Sequence, residues 1–208
     1  MSERTSYEPG VPSWADLSSP DVEASKRFYA GLFGWQAQDA GPAEETGGYA
    51  MFTLKGRNVA GLSPVQDENQ PPAWAVYVAT DDVDATAARA RDAGGSVLVG
   101  PMDVMDAGRM AVFAHPAAGF IGAWQAGRHT GAELVNEPGT FGWNELGTRD
   151  PAVAKQFYGA VFGWEFDEEP SDRVGTYTIA KVGDAMVAGM IDMNALEMPA
   201  EIPANWLV

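Results

Sequence analysis

Apolar residues recur at helical spacing twice in this chain, at Phe28, Tyr29, Leu32 and Phe33 and again at Phe157, Tyr158, Val161 and Phe162. Each set predicts an amphipathic helix laid on a core. The two stretches are copies of one another. Between Trp14 to Trp35 and Trp143 to Trp164, at a constant offset of 129, nine of twenty-two positions are identical: Trp14, Leu17, Asp21, Lys26, Phe28, Tyr29, Phe33, Gly34 and Trp35. Asp21 and Asp150 predict N-caps and Pro151 suits a first helical position. Gly34 and Gly163 are natural stops.

A short strand is expected before each helix, at Trp14-Ala15-Asp16-Leu17 and Trp143-Asn144-Glu145-Leu146. After the first helix, Tyr49 to Leu54 and Val59 to Leu62 read as strands joined by the turn Lys55-Gly56-Arg57-Asn58. From Pro71 the order restarts, with a strand over Trp74 to Ala79, an acidic start at Asp81-Asp82, a helix from Val83 to Ala93 and a stop at Gly94-Gly95. Strands follow at Ser96 to Val99, Met110 to Ala114 and Phe120 to Gln125. Two βαβββ units thus occupy residues 11–64 and 71–126, and a third runs from about Thr140 to Asp192 with its meander in Tyr177 to Lys181 and Met186 to Ile191. The expected fold class is α+β, tandem βαβββ units forming cupped, mostly antiparallel sheets.

The units predict a first domain over 1–126, a linker over 127–139 and a second domain over 140–208. That second domain holds the third unit and, in Asn205-Trp206-Leu207-Val208, the opening strand of a fourth. A half-built sheet exposes an edge that another protomer would cover, so a homodimer or higher oligomer is expected.

Composition narrows the possibilities. With 208 residues, 46% of them hydrophobic, there is ample material for a core. The net charge of −16 repels phosphate backbones and anionic lipid, so neither nucleic acid nor membrane is an expected partner. No apolar run suits a membrane span or a secretion signal, and a cytoplasmic location is expected. Zero cysteines exclude disulfides, thiolate metal sites and a cysteine nucleophile, and two histidines, His115 and His129, exclude a histidine-rich metal site. Glycine-rich phosphate loops and the serine-hydrolase elbow do not occur.

The first strand followed by Asp21, Phe28-Tyr29 and Phe33-Gly34-Trp35 resembles the opening unit of the vicinal oxygen chelate superfamily, the group of glyoxalase I, extradiol dioxygenases and bleomycin-binding proteins. More narrowly, Trp14-Ala15-Asp16-Leu17, Asp106-Ala107-Gly108-Arg109-Met110 and Val135-Asn136-Glu137-Pro138-Gly139-Thr140 are similar to actinobacterial two-domain glyoxalase-like proteins, some labelled antigens or hydroxylases. The resemblance implies metal ligands at the start of each unit's first strand and near the end of its last. By the fixed spacing to the helix-capping Asp those positions fall on Trp14 and, by repeat alignment, Trp74, Trp143 and Trp206, and on Gly61, Gly122 and Gly189. Indoles and bare backbone do not ligate a divalent ion, so no metal and no cofactor are expected.

A Trp opposite a Gly conserves volume, so indoles could line the vacated space, together with Trp124 two positions past Gly122. Equally, the tryptophans could be core packing, each N–H then needing an acceptor. Strand alternation puts Asp16 on the face of Trp14 and Glu145 on the face of Trp143. These carboxylates are the acid–base candidates, or else they are hydrogen-bonded or paired with Arg109 or Arg149. Arg109 could sit at a pocket mouth or in a solvated loop, His115 fits a tight turn, and Glu168-Glu169 and the Asp39 to Glu45 loop read as solvated surface.

The expected function is a metal-independent small-molecule binding protein that holds a partly aromatic or cationic organic molecule in an aromatic-lined cup. The alternatives are a lyase, isomerase or hydroxylase-like enzyme using Asp16 or Glu145, and a regulatory protein acting through its surface.

Overall fold

The computed structural model describes residues 3–67, 71–117 and 119–208. Positions 1, 2, 68–70 and 118 of the expected first domain lie outside the described residues. The chain groups into two compact units. The first comprises Met1–Ser6, Trp14–Ala75 and Thr130–Gly142, and the second Tyr7–Ser13, Val76–His129 and Trp143–Val208. Sequence order and compactness therefore divide the chain differently.

The first unit contains β1 (Pro12–Ser19), α1 (Val22–Phe33), β2 (Gln36–Asp39), the four-residue α2 (Ala43–Thr46), β3 (Ala50–Leu54) and β4 (Arg57–Pro64). Its strand order is β2-β3-β4-β1, with β4 parallel to β1 and the other pairs antiparallel, which is one βαβββ unit. The local signals act as anticipated. Asp21 Oδ1 accepts the Ala24 N–H at 2.8 Å and Gly34 closes α1 at φ 73°. Lys55 and Gly56 both take positive φ between β3 and β4, the turn whose twist matches a two-stranded ribbon.

Leu17, Trp35, Phe52, Val59, Ala60 and Leu62 form the core of this unit, and Leu134 completes it. Most of the stretch 127–139, expected as a linker, belongs to this unit. The Glu133 carboxylate accepts the Asn58 N–H at 2.8 Å, and the Trp35 indole donates to the Gly139 carbonyl at 2.7 Å. Helix α1 departs from the core-packed helix expected of it. No residue of α1 is buried: Tyr29 packs against Trp35, Phe52 and Trp74, but Phe28, Leu32 and Phe33 are exposed.

The second unit adds β5 (Ala73–Ala79), α3 (Val83–Asp92), β6 (Ser96–Val104), β7 (Gly108–Ala114) and β8 (Phe120–Ala126). It continues with β9 (Glu145–Thr148), α4 (Pro151–Phe162), β10 (Glu165–Ser171), β11 (Gly175–Val182), β12 (Ala185–Asp192) and β13 (Asn205–Leu207). The strand runs are β5-β8-β7-β6 and β10-β11-β12-β9-β13, mixed and open. Here the repeated helix is buried: Phe157, Tyr158, Val161 and Phe162 of α4 join Val83, Ala87 and Ala90 of α3 in one core. Arg89 ties the pair, donating Nε–H to the Val161 carbonyl at 3.0 Å.

His115 lies beneath α4, stacked on Tyr158 and edge-on to Phe157, and its Nδ1 accepts the Ala117 N–H at 2.8 Å. Burial pushes the imidazole down to about 4.

Strands β2 and β10 go beyond the elements expected from the sequence, which places Asp39 to Glu45 and Glu168-Glu169 on solvated surface. Every residue of β2 and most of β10 are exposed, so neither shows the apolar alternation that betrays a half-buried strand. Both are edge strands, pinned from the neighbouring elements by Lys26 to Asp39, Lys155 to Glu168 and Lys181 to Asp167. Among the described residues, no helix is long and apolar enough to cross a membrane.

Candidate functional site

In β1, Leu17 points into the core, so the alternating Trp14 and Asp16 point to the other face of the sheet. There the Trp14 indole donates Nε1–H to the Tyr49 hydroxyl at 2.9 Å, and that hydroxyl donates to Asp16 Oδ2 at 3.3 Å. The third unit repeats the arrangement. Trp143 donates to the Tyr177 hydroxyl at 2.9 Å, and Tyr177 donates to Glu145 Oε2 at 2.8 Å. Each site is thus a relay from indole to phenol to carboxylate.

The glycines explain how the tyrosines fit. Gly61 stands beside Asp16 in the register of β1 with β4, and Gly189 beside Glu145 in that of β9 with β12. A Cβ at Gly61 or at Gly189 would lie 1.9 Å from the hydroxyl of Tyr49 or Tyr177. Any side chain there, a metal-binding glutamate included, would evict the phenol.

The two relays differ in exposure. Trp14 is 3% exposed and Asp16 is buried, whereas Trp143 is 39% exposed and Glu145 half-buried. The Tyr177 hydroxyl is pushed up to about 12, first by burial and then by the hydrogen bond to Glu145. It therefore stays a neutral donor at physiological pH. With one lone pair taken by the Trp143 N–H and its proton on Glu145, the phenol keeps one acceptor position.

Other anticipated residues lie elsewhere. Gly122 pairs with Tyr77, whose ring fills the glycine's space as the phenols do at Gly61 and Gly189. Matching the glycines places Tyr77 level with Asp16 and Glu145, so the position equivalent to Trp14 and Trp143 is Ala75 and the alignment of Trp74 was one residue out. A slip of one residue reverses the face of a strand. Trp74 accordingly lies on the helix side, donating Nε1–H to the Tyr29 hydroxyl at 3.1 Å, and Trp206 does the same to Tyr158 at 3.1 Å. Trp35 and Trp164 stack on those tyrosines, so these four tryptophans are core packing. Trp124 is buried with its indole N–H on the His129 carbonyl at 2.8 Å.

The contacts of Arg109 and Arg149 lie away from the Asp16 and Glu145 carboxylates. Arg109 pairs with Asp84 and Asp103, and Arg149 donates to the carbonyls of Met198, Pro199 and Ile202. The residues that reading the sequence missed are Tyr49 and Tyr177. Their offset is 128, as is that of Gly61 and Gly189, so one residue lost between helix and meander takes them out of the 129 frame. A shallow cleft of about 310 Å³, lined by Gly10, Thr80, Arg89 and residues 160–163 among others, contains none of the relay residues.

The donor set does not fit a divalent ion. Among the described residues no three His, Asp or Glu side chains come together, and at each relay a phenol already engages the one carboxylate.

The sequence profile described as "Glyoxalase/Bleomycin resistance protein/Dioxygenase superfamily" matches residues 12–121, just over half of the chain. A protein of Mycobacterium tuberculosis named "Putative glyoxylase CFP32" is 42% identical over 212 residues, covering 100% of this chain and 79% of its own length. "Anthracycline biosynthesis protein DauV" of a Streptomyces species is 44% identical over 210 residues, covering 91% of this chain and 74% of its own. Among solved structures, the Mn(II)-bound glyoxalase from Novosphingobium aromaticivorans shares the fold at a TM-score of 0.62 and 17% identity. The match covers 88% of this chain and 62% of that one.

Proposed function

Because the chain belongs to the glyoxalase, bleomycin resistance protein and dioxygenase superfamily while Trp14, Trp143, Gly61 and Gly189 stand where the resemblance implies metal ligands, we propose that it is a metal-independent small-molecule binding protein. The observation that carries this reading is the duplicated relay, Trp14 to Tyr49 to Asp16 and Trp143 to Tyr177 to Glu145. An indole face attracts a planar or cationic group, each such contact contributing about 0.5 to 2 kcal/mol. The free acceptor position of Tyr177 and the half-exposed Glu145 carboxylate suit a protonated nitrogen. The ligand class is therefore an organic molecule with an aromatic body and an ammonium group. That a 44% identical relative is named for anthracycline biosynthesis supports a polycyclic aromatic body.

Isothermal titration of planar aromatic amines beside their neutral isosteres tests the reading. The cationic members should bind with micromolar Kd and weaken at least tenfold in Glu145→Gln. Failure of every cationic member to bind, or equal affinity for the neutral isosteres, would overturn it. So would near-stoichiometric Mn, Fe, Ni or Zn in purified protein.

A second reading, a metal-independent lyase or isomerase, is favoured by the half-exposure of Glu145, which leaves a carboxylate available to a substrate proton. The mycobacterial relative's name points the same way. Turnover of a bound compound that disappears in Glu145→Gln while binding persists would favour the enzyme.

A further inference from the structure

We propose that the cleft between the last turns of α3 and α4 is a second ligand site, built for a small monocarboxylate with an apolar body and anchored by Arg89. The helices opened by an aspartate cap show why this arginine stands out. Seven residues on from the caps Asp21, Asp82 and Asp150 stand Phe28, Arg89 and Phe157. One helical position of the repeat thus carries phenylalanine twice and arginine once. In α4 that position is buried in the core, whereas in α3 the arginine lines a cleft of about 310 Å³.

The guanidinium is held in place. Its Nε–H donates to the Val161 carbonyl at 3.0 Å and its Nη2 to the Thr86 hydroxyl at 2.9 Å. The buried Thr86 hydroxyl donates in turn to the Asp82 carbonyl at 2.8 Å and lies 2.8 Å from the Thr80 hydroxyl. Ser19 and Ser25 repeat that hydroxyl pair at the start of α1, without an arginine to receive. Two of the five guanidinium N–H groups are engaged in this way, and both on Nη1 remain for a ligand. A guanidinium fixed beforehand meets a planar carboxylate at little further cost in side-chain entropy.

The remaining walls set the ligand class. Among the described residues Arg89 is the one charged side chain lining the cleft, and Pro9, Ala79, Val161 and Phe162 make its sides apolar. Among the same residues no carboxylate pairs with Arg89, whereas Arg57, Arg109 and Arg128 each have one. A guanidinium already bonded to a carbonyl at a helix C-terminus, in a chain of charge −16, offsets one negative charge and not two. A monocarboxylate therefore suits it better than a phosphate dianion. The volume lies at the lower end of the range for small-molecule pockets. This site takes the opposite charge from the Glu145 site and shares no residue with it, so the two readings stand or fall separately.

Amide NMR titration with benzoate tests the proposal, beside benzamide as its uncharged isostere and phenyl phosphate as a dianion. Benzoate should give saturable shifts at Gly10, Thr80 and Gly163 with a Kd on the order of 1 mM, as befits a fragment-sized ligand. Benzamide and phenyl phosphate should bind at least about tenfold more weakly. Arg89→Gln keeps a donor for the Val161 carbonyl and should weaken benzoate about tenfold. Ala160→Trp fills the cleft from an exposed position without removing either bond of Arg89, and should abolish binding with unchanged far-ultraviolet dichroism. An arginine that only ties α3 to α4 would move the unfolding midpoint with no benzoate binding to lose. No saturable shift up to about 20 mM, equal or tighter binding of benzamide or phenyl phosphate, or benzoate binding indifferent to Ala160→Trp would overturn the proposal.

Discussion

Replacing Gly189 by alanine introduces a single methyl group in a backbone conformation that alanine adopts without strain, yet the structure requires a large response. The new Cβ would stand 1.9 Å from the Tyr177 hydroxyl, 2.7 Å from its ring carbon and 2.9 Å from the Trp143 indole nitrogen. The phenol must leave. With it go the 2.8 Å bond to Glu145 and the 2.9 Å bond from Trp143. The first, to a carboxylate, stabilises by about 1.5 kcal/mol at this half-exposed position, and the second by about 0.5 to 1 kcal/mol. Adding the displaced ring, Gly189→Ala should cost about 2 to 3 kcal/mol.

The decisive comparison is a cycle with Tyr177→Ala. Once the phenol is gone the nearest obstruction is the outer edge of Trp143, and Gly189→Ala should then cost less than about 0.5 kcal/mol. The coupling of roughly 2 kcal/mol is measured from four urea titrations. Additive costs, within about 0.5 kcal/mol, would refute the view that the glycine exists to admit the tyrosine.

Four further outcomes are expected. His115 falls from an unfolded value of 6.5 to about 4 in the native state, so the unfolded chain binds the extra proton. Stability is full above pH 6.5 and declines as pH falls towards 4, and of that decline about 2 kcal/mol between pH 7 and 5 should be absent from His115→Gln in urea titrations at each pH. Phe157→Ala should lose about 3 to 5 kcal/mol by equilibrium unfolding while Phe28→Ala stays within about 1 kcal/mol, because the same residue type is buried in α4 and exposed in α1. Asp150→Ala removes the cap on the Val153 N–H and should cost about 1 kcal/mol in the same assay. Calorimetric titration with Mn(II) or Zn(II) should show no stoichiometric binding, and a saturable one-to-one isotherm would contradict the reading of the site.

Much of the fold was legible because its signals are local. Asp21 and Asp150 cap their helices, Gly34 and Gly163 end them, and Lys55-Gly56 turns the hairpin, each acting through its own backbone. The edge strands β2 and β10 left no apolar alternation and escaped. At the site, Trp14, Asp16 and Gly61 were legible, as were Trp143, Glu145 and Gly189, because strand alternation and the fixed spacing to the helix cap bring them together. Trp74 was misplaced because the period of a strand is two and an alignment error of one exchanges its faces. Tyr49 and Tyr177 lie across the sheet, and only the glycine's missing Cβ, judged in three dimensions, shows that room was made for them. The exposure of Phe28 was invisible for the same reason: helical periodicity says which side is apolar, not whether anything lies against it.

The outermost strand β10 bears Glu165, Asp167, Glu168 and Glu169 within seven residues, and among the described residues Lys155 and Lys181 are the cations paired with them. A ribbon so crowded with negative charge is a poor template for another like itself, since zipping two together would stack carboxylates at van der Waals distance. The protection is coulombic and hence ionic-strength dependent: as salt shortens the reach of those charges, or acid removes them, the bare amides of that rim become available for strand addition. Turbidity on concentrating the protein should therefore appear first in brine or near the isoelectric point, with the loss of colloidal stability beginning at this margin of the sheet.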